Sequence, residues 1–518
     1  MRLPPLPLLP PPPHLPHRSR AALAAALAGV WLLSACTGLP LAPTSAAVAS
    51  LAAPATWQAP LPAAIDAAAE RTADPQSDLA RWWRQFDDPV LEALLDAAQA
   101  ASPTVASAYS RTAQARAAWV AAGAALLPGV DASVSASRGR QDLALPVGSA
   151  LSAGVQAQWE IDLFGAVRAG RSAASARLDA AAGAWHDARA SVAADVAGSY
   201  VAYRACEAQL AQARLDVRSR AETARLTQLA ADAGFQAPAA AALTRASAAQ
   251  SNAAATQRRT ACELGIKALV ALSGIDEAGL RRALQPGTAR LPQPRGIAVA
   301  AVPAQALAQR PDLYAAGREL LAASADVDQA EARRYPRITL GGSIGAARFD
   351  AGGASLDGMV WSIGPVAVTL PLFDAGTRRA NVDAARARYD EAAALYAARL
   401  RDAVREVEDA LVTLQGTAER GSDAETAVGG FAASLRATEA RYSGGLASLF
   451  ELEDARRSAV QAQIALIDLR RERVQGWIAL YRALGGGWGG DALTASACSN
   501  PPLGATASAS SSTVCPAP

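Results

Sequence analysis

Residues 155–165 read Val-Gln-Ala-Gln-Trp-Glu-Ile-Asp-Leu-Phe-Gly. Val155, Ala157, Trp159, Ile161 and Leu163 are apolar, and Gln156, Gln158, Glu160 and Asp162 lie between them. A period of two gives a strand with one greasy face and one wet face. A second such segment has Ile338, Leu340 and Ile344 alternating with Thr339, Gly341 and Ser343. A third has Trp361, Ile363, Val366, Val368, Leu370 and Leu372, with a phase slip near Pro365. Runs of about ten alternating residues suit strands of a transmembrane barrel. A soluble hairpin with one buried face alternates in the same way, so the strands alone leave both readings open. Two strands in each half make four, too few to close a barrel with a lumen. Lipid tolerates no open sheet edge. In a membrane, several chains must therefore share one barrel. Three copies give twelve strands, although the physics of one sequence does not fix the number at three.

The strand segments recur because the chain is duplicated. Leu163-Phe164 corresponds to Leu372-Phe373 at an offset of 209, and Leu127-Pro128 to Tyr335-Pro336 at 208. Leu272-Ser273-Gly274 corresponds to Ala483-Leu484-Gly485 at 211. Each half runs helix, two strands, very long helix, short turn, helix. Heptad spacing marks the helices. Leu400, Val404, Val407, Leu411 and Leu414 step by 4, 3, 4 and 3. Leu452, Ala455, Ala459, Ala462, Leu466 and Leu469 continue the pattern, and Val192, Val196, Ser199, Tyr203, Cys206, Leu210, Ala213 and Val217 repeat it in the first half. A period of 3.5 residues makes a coiled-coil seam. The long helices, expected over about 168–232 and 377–441, would each reach roughly 100 Å at 1.5 Å per residue. The breaks at Gly234 and at Gly444-Gly445 mark hairpin tips.

Composition agrees. The chain has 518 residues, 51% hydrophobic but only 5% aromatic, and much of its apolar content is alanine, which favours long, closely packed helices over a thick globular core. With 49 basic and 47 acidic residues, the charge gives no reason to expect nucleic acid. The three histidines are His14, His17 and His186. Two fall in the leader described next, so no two-histidine metal motif is expected. A Ser-His-Asp arrangement would rest on His186, in a helical stretch without a nucleophile elbow. No catalytic residue, metal or cofactor is expected.

Residues 1–35 read as an export signal. Arg18 and Arg20 precede an apolar run from Ala21 to Leu33, which ends Leu33-Ser34-Ala35-Cys36. That is a lipobox: a small residue before a cysteine that becomes lipidated, with each buried methylene adding about 0.8 kcal/mol of anchoring. The other reading is an ordinary signal peptide with a chance cysteine. Thr37 follows, where aspartate would signal inner-membrane retention. Residues 36–76, rich in Ala, Pro and Thr, read as a tether. Residues 491–518 read as a disordered tail.

The landmarks resemble those of TolC-like outer-membrane factors, of the lipoprotein branch that serves RND efflux pumps. Trp82-Trp83-Arg84-Gln85-Phe86-Asp87-Asp88-Pro89-Val90-Leu91 is similar to the family's opening motif. Asp162-Leu163-Phe164-Gly165, Arg310-Pro311-Asp312-Leu313 and Pro371-Leu372-Phe373-Asp374-Ala375-Gly376 match its internal motifs. Ala483-Leu484-Gly485-Gly486-Gly487-Trp488 is similar to its close. The resemblance implies a membrane α+β fold in two tandem repeats, here 77–285 and 286–490. It implies a homotrimer: a twelve-stranded barrel in the outer membrane on a helical periplasmic tunnel. Its implied partners are a periplasmic adaptor and an inner-membrane RND-type transporter. The work is passive conduction of small molecules such as drugs, with no enzyme activity.

The resemblance also implies a constriction by acids six and nine positions after the tip glycine. Counted from Gly445 these are Glu451 and Asp454. Three copies would make negative rings that favour cations. Solvated helix-face charges are the other reading. Ala447 departs from the polar residue the family often has there, which puts an inter-helix latch in doubt. Gly234, Phe235 and Gln236 at one tip and Gly444 and Gly445 at the other are the expected adaptor contacts, with simple turn chemistry as the alternative. Cys206 and Cys262 each lie 28 residues from Gly234, at one level of an antiparallel hairpin. In an oxidising periplasm they are a candidate disulfide, or else two small buried thiols. Two other functions stay in view: a duct for type I protein secretion, and a non-transporting coiled-coil scaffold.

Overall fold

The computed structural model describes residues 54–61, 82–140, 147–294 and 303–488. The signal segment, Cys36, most of the tether and the 491–518 tail lie outside the described residues. The rest follows the duplication. A short 3-10 turn (Trp82–Phe86) leads into α1 (Pro89–Ala101), α2 (Pro103–Ala124), β1 (Gly129–Gly139), β2 (Gly148–Ile161), α3 (Ala166–Asp232) and α4 (Pro238–Ser273). After the short α5 (Glu277–Leu284) and α6 (Pro303–Ala308), the order recurs: α7 (Pro311–Ala332), β3 (Arg337–Ala351), β4 (Ala354–Thr369), α8 (Thr377–Ser443) and α9 (Leu449–Ala483). The long helices α3 and α8 have 67 residues each, about 100 Å at 1.5 Å per residue. Among the described residues no helix is long and apolar enough to cross a membrane.

The four strands form one antiparallel sheet in the order β1-β2-β3-β4, so β1 and β4 are edges. Register puts the apolar residues in rows on one face. Val134, Ala153, Ala346 and Met359 make one row, Ala132, Val155, Ile344 and Trp361 another, and Ile161, Ile338 and Val368 the last. The opposite face is small and polar: Ser135 Oγ lies 2.7 Å from Ser152 Oγ, and Ser343 Oγ 2.9 Å from Ser362 Oγ. Beyond Met359 the apolar face turns polar, at Arg348 opposite Asp357 and Asp350 opposite Ser355. The apolar band on β3 thus runs from Ile338 to Ala346. At about 3.3 Å per residue and a tilt near 40° it stands roughly 20 Å tall, near the height of the apolar band of outer-membrane barrels. The phase slip near Pro365 is a β-bulge: Leu340 faces Val366 and Gly342 faces Ile363, so the extra residue lies at Gly364-Pro365.

The strands end earlier than their alternation does. Leu163, Leu370 and Leu372, read above as strand residues, lie past Ile161 and Thr369. Helix capping stops the ladder. The Asp162 carboxylate accepts from the amides of Val167 (3.1 Å) and Arg168 (2.8 Å) at the start of α3. Asp374 does the same for Gly376 and Arg378, both at 3.1 Å, ahead of α8. Pro371 has no amide to donate.

The core lies partway along the helices. Val196, Tyr200, Leu269, Ala403, Val407 and Leu411 are buried there, and the alanine-rich seams let the helices approach closely. The chain's first and last landmarks meet at this level. Trp82 stacks on Tyr481 at 5.0 Å and 17°. Arg310 donates to Ala483 O (2.8 Å) and pairs with Asp312 (2.7 Å) and Glu406 (2.8 Å), so its guanidinium caps the end of α9. Gly485, Gly486 and Gly487 all have positive φ, at 89°, 64° and 80°. A Cβ on Gly485 would overlap Gln309 O, which is why this segment is glycine. Part of the supposed tether belongs here too. Trp57 and Ala59 join the core, and the Gln58 and Ala59 amides donate to the Glu408 carboxylate at 2.7 and 2.8 Å.

Cys206 and Cys262 are joined, Sγ to Sγ at 2.03 Å, tying α3 to α4. Closing a loop of 56 residues stabilises by about 4 kcal/mol in the chain-entropy model.

His186 on α3 tests the core. Burial, then the nearby Arg189 charge, lowers its pKa to about 4 from 6.5. Protonation therefore favours the unfolded chain. The stability it contributes is complete above pH 6.5 and declines as pH falls toward 4. The thermal midpoint of detergent-solubilised protein should fall more steeply between pH 7 and 4.5 than that of His186→Gln. Parallel profiles would contradict this.

Candidate functional site: the hairpin tips and the link between hairpins

Each long hairpin turns at a tip built from local chemistry. The first ends at Asp232, and Gly234 (φ 80°) lets the Phe235 amide donate back to Ala230 O at 2.8 Å. Pro238 starts the return helix, where its missing amide costs nothing. Phe235 is 85% exposed. Gln236 and Gly234 are exposed beside it. The second tip has Gly444 as the cap of α8 and Gly445 at φ 73°. Its return helix is capped by Ser448 Oγ, which accepts from the Glu451 amide at 3.2 Å. Leu446 and Phe450 are also exposed there.

Glu451 and Asp454 lie on one face in the first turns of α9, both exposed. Neither side chain stands alone. Arg441 donates to Glu451 at 3.4 Å and to Leu446 O at 3.1 Å, and Arg457 pairs with Asp454 at 2.5 Å. All these contacts stay within the second hairpin. Ala447, half-buried, carries no polar group to reach the first.

The link between hairpins is elsewhere, on residues the sequence reading passed over. Glu453 is its hub. Arg220 on α3 donates to Glu453 at 2.6 Å and Ser247 on α4 donates to it at 2.7 Å. From its own helix, Arg456 donates at 2.9 Å. Asp216 anchors Arg220 at 2.9 Å. Arg456 also reaches Thr223 Oγ1 at 3.2 Å and Glu439 at 3.6 Å. Arg456 is 5% exposed. A charge so buried is costly unless paired. Two guanidiniums share one carboxylate, so removing the carboxylate leaves like charges facing across the hairpins. The available signal was positional: Arg456 follows Leu452 by four and so falls on the buried stripe, where a cation needs a partner.

Nothing in this arrangement is a reaction centre. No group of three or more His, Cys, Asp or Glu able to hold a metal occurs among the described residues. Its chemistry is the pairing of charges across two long hairpins.

Comparison with known proteins places the chain. The family profile described as "Outer membrane efflux protein" matches residues 94–274 and 302–486, the two structural repeats. Outer membrane protein OprJ of Pseudomonas aeruginosa is 31% identical over 380 residues, 70% of this chain and 77% of that one. The pyoverdine export outer membrane protein OpmQ of the same species is 30% identical over 480 residues, 89% of this chain and 96% of that one. The crystal structure of the outer membrane protein VceC of Vibrio cholerae superposes with a TM-score of 0.69 at 26% identity, over 79% of this chain and 99% of that one.

Glu453→Ala should loosen α9 from α3 and α4 by about 2 kcal/mol. Amides of residues 451–462 should then exchange hydrogen roughly 30-fold faster, with the sheet unchanged. Unaltered exchange in that stretch would mean the hub contributes nothing to docking.

Proposed function

The chain belongs to the outer membrane efflux protein family and is an outer-membrane efflux channel, not an enzyme; from that premise we propose that it is the passive exit duct of a tripartite pump, gated at its periplasmic tips. The observation that carries this is the two-faced sheet built directly onto helical hairpins about 100 Å long. The sheet meets lipid with its apolar face and cargo with its serine-lined face. The hairpins carry the path down to the tips. Drugs and similar small molecules pass without chemistry, and an inner-membrane RND-type transporter supplies the energy through a periplasmic adaptor docked on Gly234, Phe235, Gln236, Gly444 and Gly445. Cys36 carries the covalent lipid that anchors the chain, and no other cofactor is involved. The Cys206–Cys262 bridge suits the oxidising periplasm.

Three copies close the barrel. Within one chain Phe164, at the β2-to-α3 junction, stacks on Tyr335, at the α7-to-β3 junction, at 5.0 Å and 12°. The duplication carries Phe164 to Phe373 and Tyr335 to Leu127. Among the described residues of the single chain these counterparts have no such mate: Phe373 is 90% exposed and Leu127 68%. They meet when β4 of one copy pairs with β1 of the next. Leu127→Cys combined with Phe373→Cys should cross-link neighbouring copies on mild oxidation, and neither single variant should. A double variant that stays uncross-linked would overturn this closure.

Gating rests on Glu451 and Asp454, which form acidic rings in the trimer. Closed trimers in a planar bilayer should pass a small, cation-preferring current. Replacing both acids by alanine should raise conductance several-fold and weaken the cation preference. Conducting trimers that ignore the substitution would keep the duct and remove this gate.

A further inference from the structure

A cleft of about 310 Å³ opens at the foot of the sheet, where β2 ends and β3 begins and where α3, α7 and α8 meet. Its lining is part apolar, from Ile161, Leu163, Phe164 and Pro336, and part cationic, from Arg333, Arg337 and Arg378. The two carboxylates in the wall are already engaged. Glu160 pairs with Arg337 at 2.8 Å. Asp162 caps α3 and pairs with Arg168 at 3.3 Å. That leaves two guanidiniums underused. Arg333 is exposed and has no ion-pair partner among the described residues. Arg378 reaches Asp374 only at 4.0 Å, and that carboxylate is spent on the Gly376 and Arg378 amides.

The helix α8 opens Thr377-Arg378-Arg379 with no acid in its first turn, and Asp374 just before it is the one carboxylate there, engaged by the Gly376 and Arg378 amides. An added anion is favoured at this end by the helix dipole and by two adjacent guanidiniums. Gln329, whose amide packs over Gly170, also lines the cleft. The cleft lies just past the last apolar row of the sheet, Ile161, Ile338 and Val368. At that depth a molecule can keep a tail against the apolar side chains and a charged head among the arginines.

We propose that this cleft binds the anionic head of an amphiphile: a phosphate or similar oxyanion bridged by Arg333 and Arg378, its apolar portion against Ile161, Leu163 and Phe164. Planar guanidiniums suit such oxyanions because they donate two parallel hydrogen bonds. Two sources share this chemistry, a phospholipid of the periplasm-facing leaflet and an anionic amphiphile in transit. The inference rests on the outer-membrane reading only for the first.

Native mass spectrometry of the full-length, detergent-solubilised protein tests it. The probes are phosphatidylglycerol, zwitterionic phosphatidylcholine and dodecyl phosphate, added at equal concentration. Phosphatidylglycerol retained at least tenfold over phosphatidylcholine, and lost at least tenfold in Arg333→Gln/Arg378→Gln, would support the site. Arg333→Gln alone, at the exposed end of α7, carries the test if the double variant does not assemble. Retention of phosphatidylglycerol but not dodecyl phosphate assigns the site to the leaflet. The reverse assigns it to solute, and retention of both shows that the head alone is read. Retention of phosphatidylcholine as strong as that of phosphatidylglycerol or dodecyl phosphate, or arginine variants that bind every probe like the native chain, would overturn the proposal. Bilayer conductance on the same samples separates the two readings: a conducting protein that retains no probe sinks the cleft and leaves the duct.

Discussion

The rest of the structure depends on unpaired backbone at two strand edges. Inside hydrocarbon an unpaired amide or carbonyl costs several kcal/mol. The sheet carries a lipid-suited band on one face but leaves β1 and β4 open. A single chain cannot satisfy those edges, so each copy must find the next. The four-strand contribution, the repeat that makes β4 and β1 compatible edges, and the exposed Leu127 and Phe373 beside them all answer that one requirement. The helices inherit it. Strands that close a ring deliver their helices into a ring, and alanine-lined seams then let 67-residue helices stand side by side.

Much of this was legible in the sequence because it is written in local periods. The two-residue alternation at Val155–Ile161 fixes which face meets lipid, and the heptads at Leu400–Leu414 fix which face is buried. Both follow from backbone geometry alone. The phase slip at Pro365 became a bulge because a shift of one residue would otherwise turn the strand over. The landmark motifs proved to be contacts with one another. Trp82 stacks on Tyr481, Arg310 caps the helix that ends at Ala483, and Gly485 lets that junction close against Gln309.

What was not legible depends on partners far away in sequence. Alternation at Leu163, Leu370 and Leu372 continues past the strands because the capping carboxylates, Asp162 and Asp374, decide the boundary and alternation does not register them. Trp57 and Ala59 sit in a Pro- and Ala-rich stretch that reads as tether, and only the Glu408 carboxylate, some 350 residues on, shows that it is docked. The hub at Glu453 is hidden for the same reason. On its own helix it is one acid among several, and its meaning comes from Arg220 and Ser247 on the other hairpin.

The two repeats match in length yet differ in what holds them. In the first, a covalent bond ties α3 to α4 at Cys206 and Cys262. Within about one turn of the corresponding level in the second stands a surface pair, Arg420 with Glu472 at 2.8 Å, both largely exposed. A pair of that kind contributes little and is screened by salt. The first tip carries no acids, and the second carries Glu451 and Asp454 with arginines beside them. The first hairpin is therefore the more tightly constrained of the two. Glu453 lies at their junction, binding the first hairpin through Arg220 and Ser247 and its own helix through Arg456. In the gating proposed above, a movement of the second hairpin away from the first has to break the contacts of Glu453 with Arg220 and Ser247 before it can displace Glu451 and Asp454.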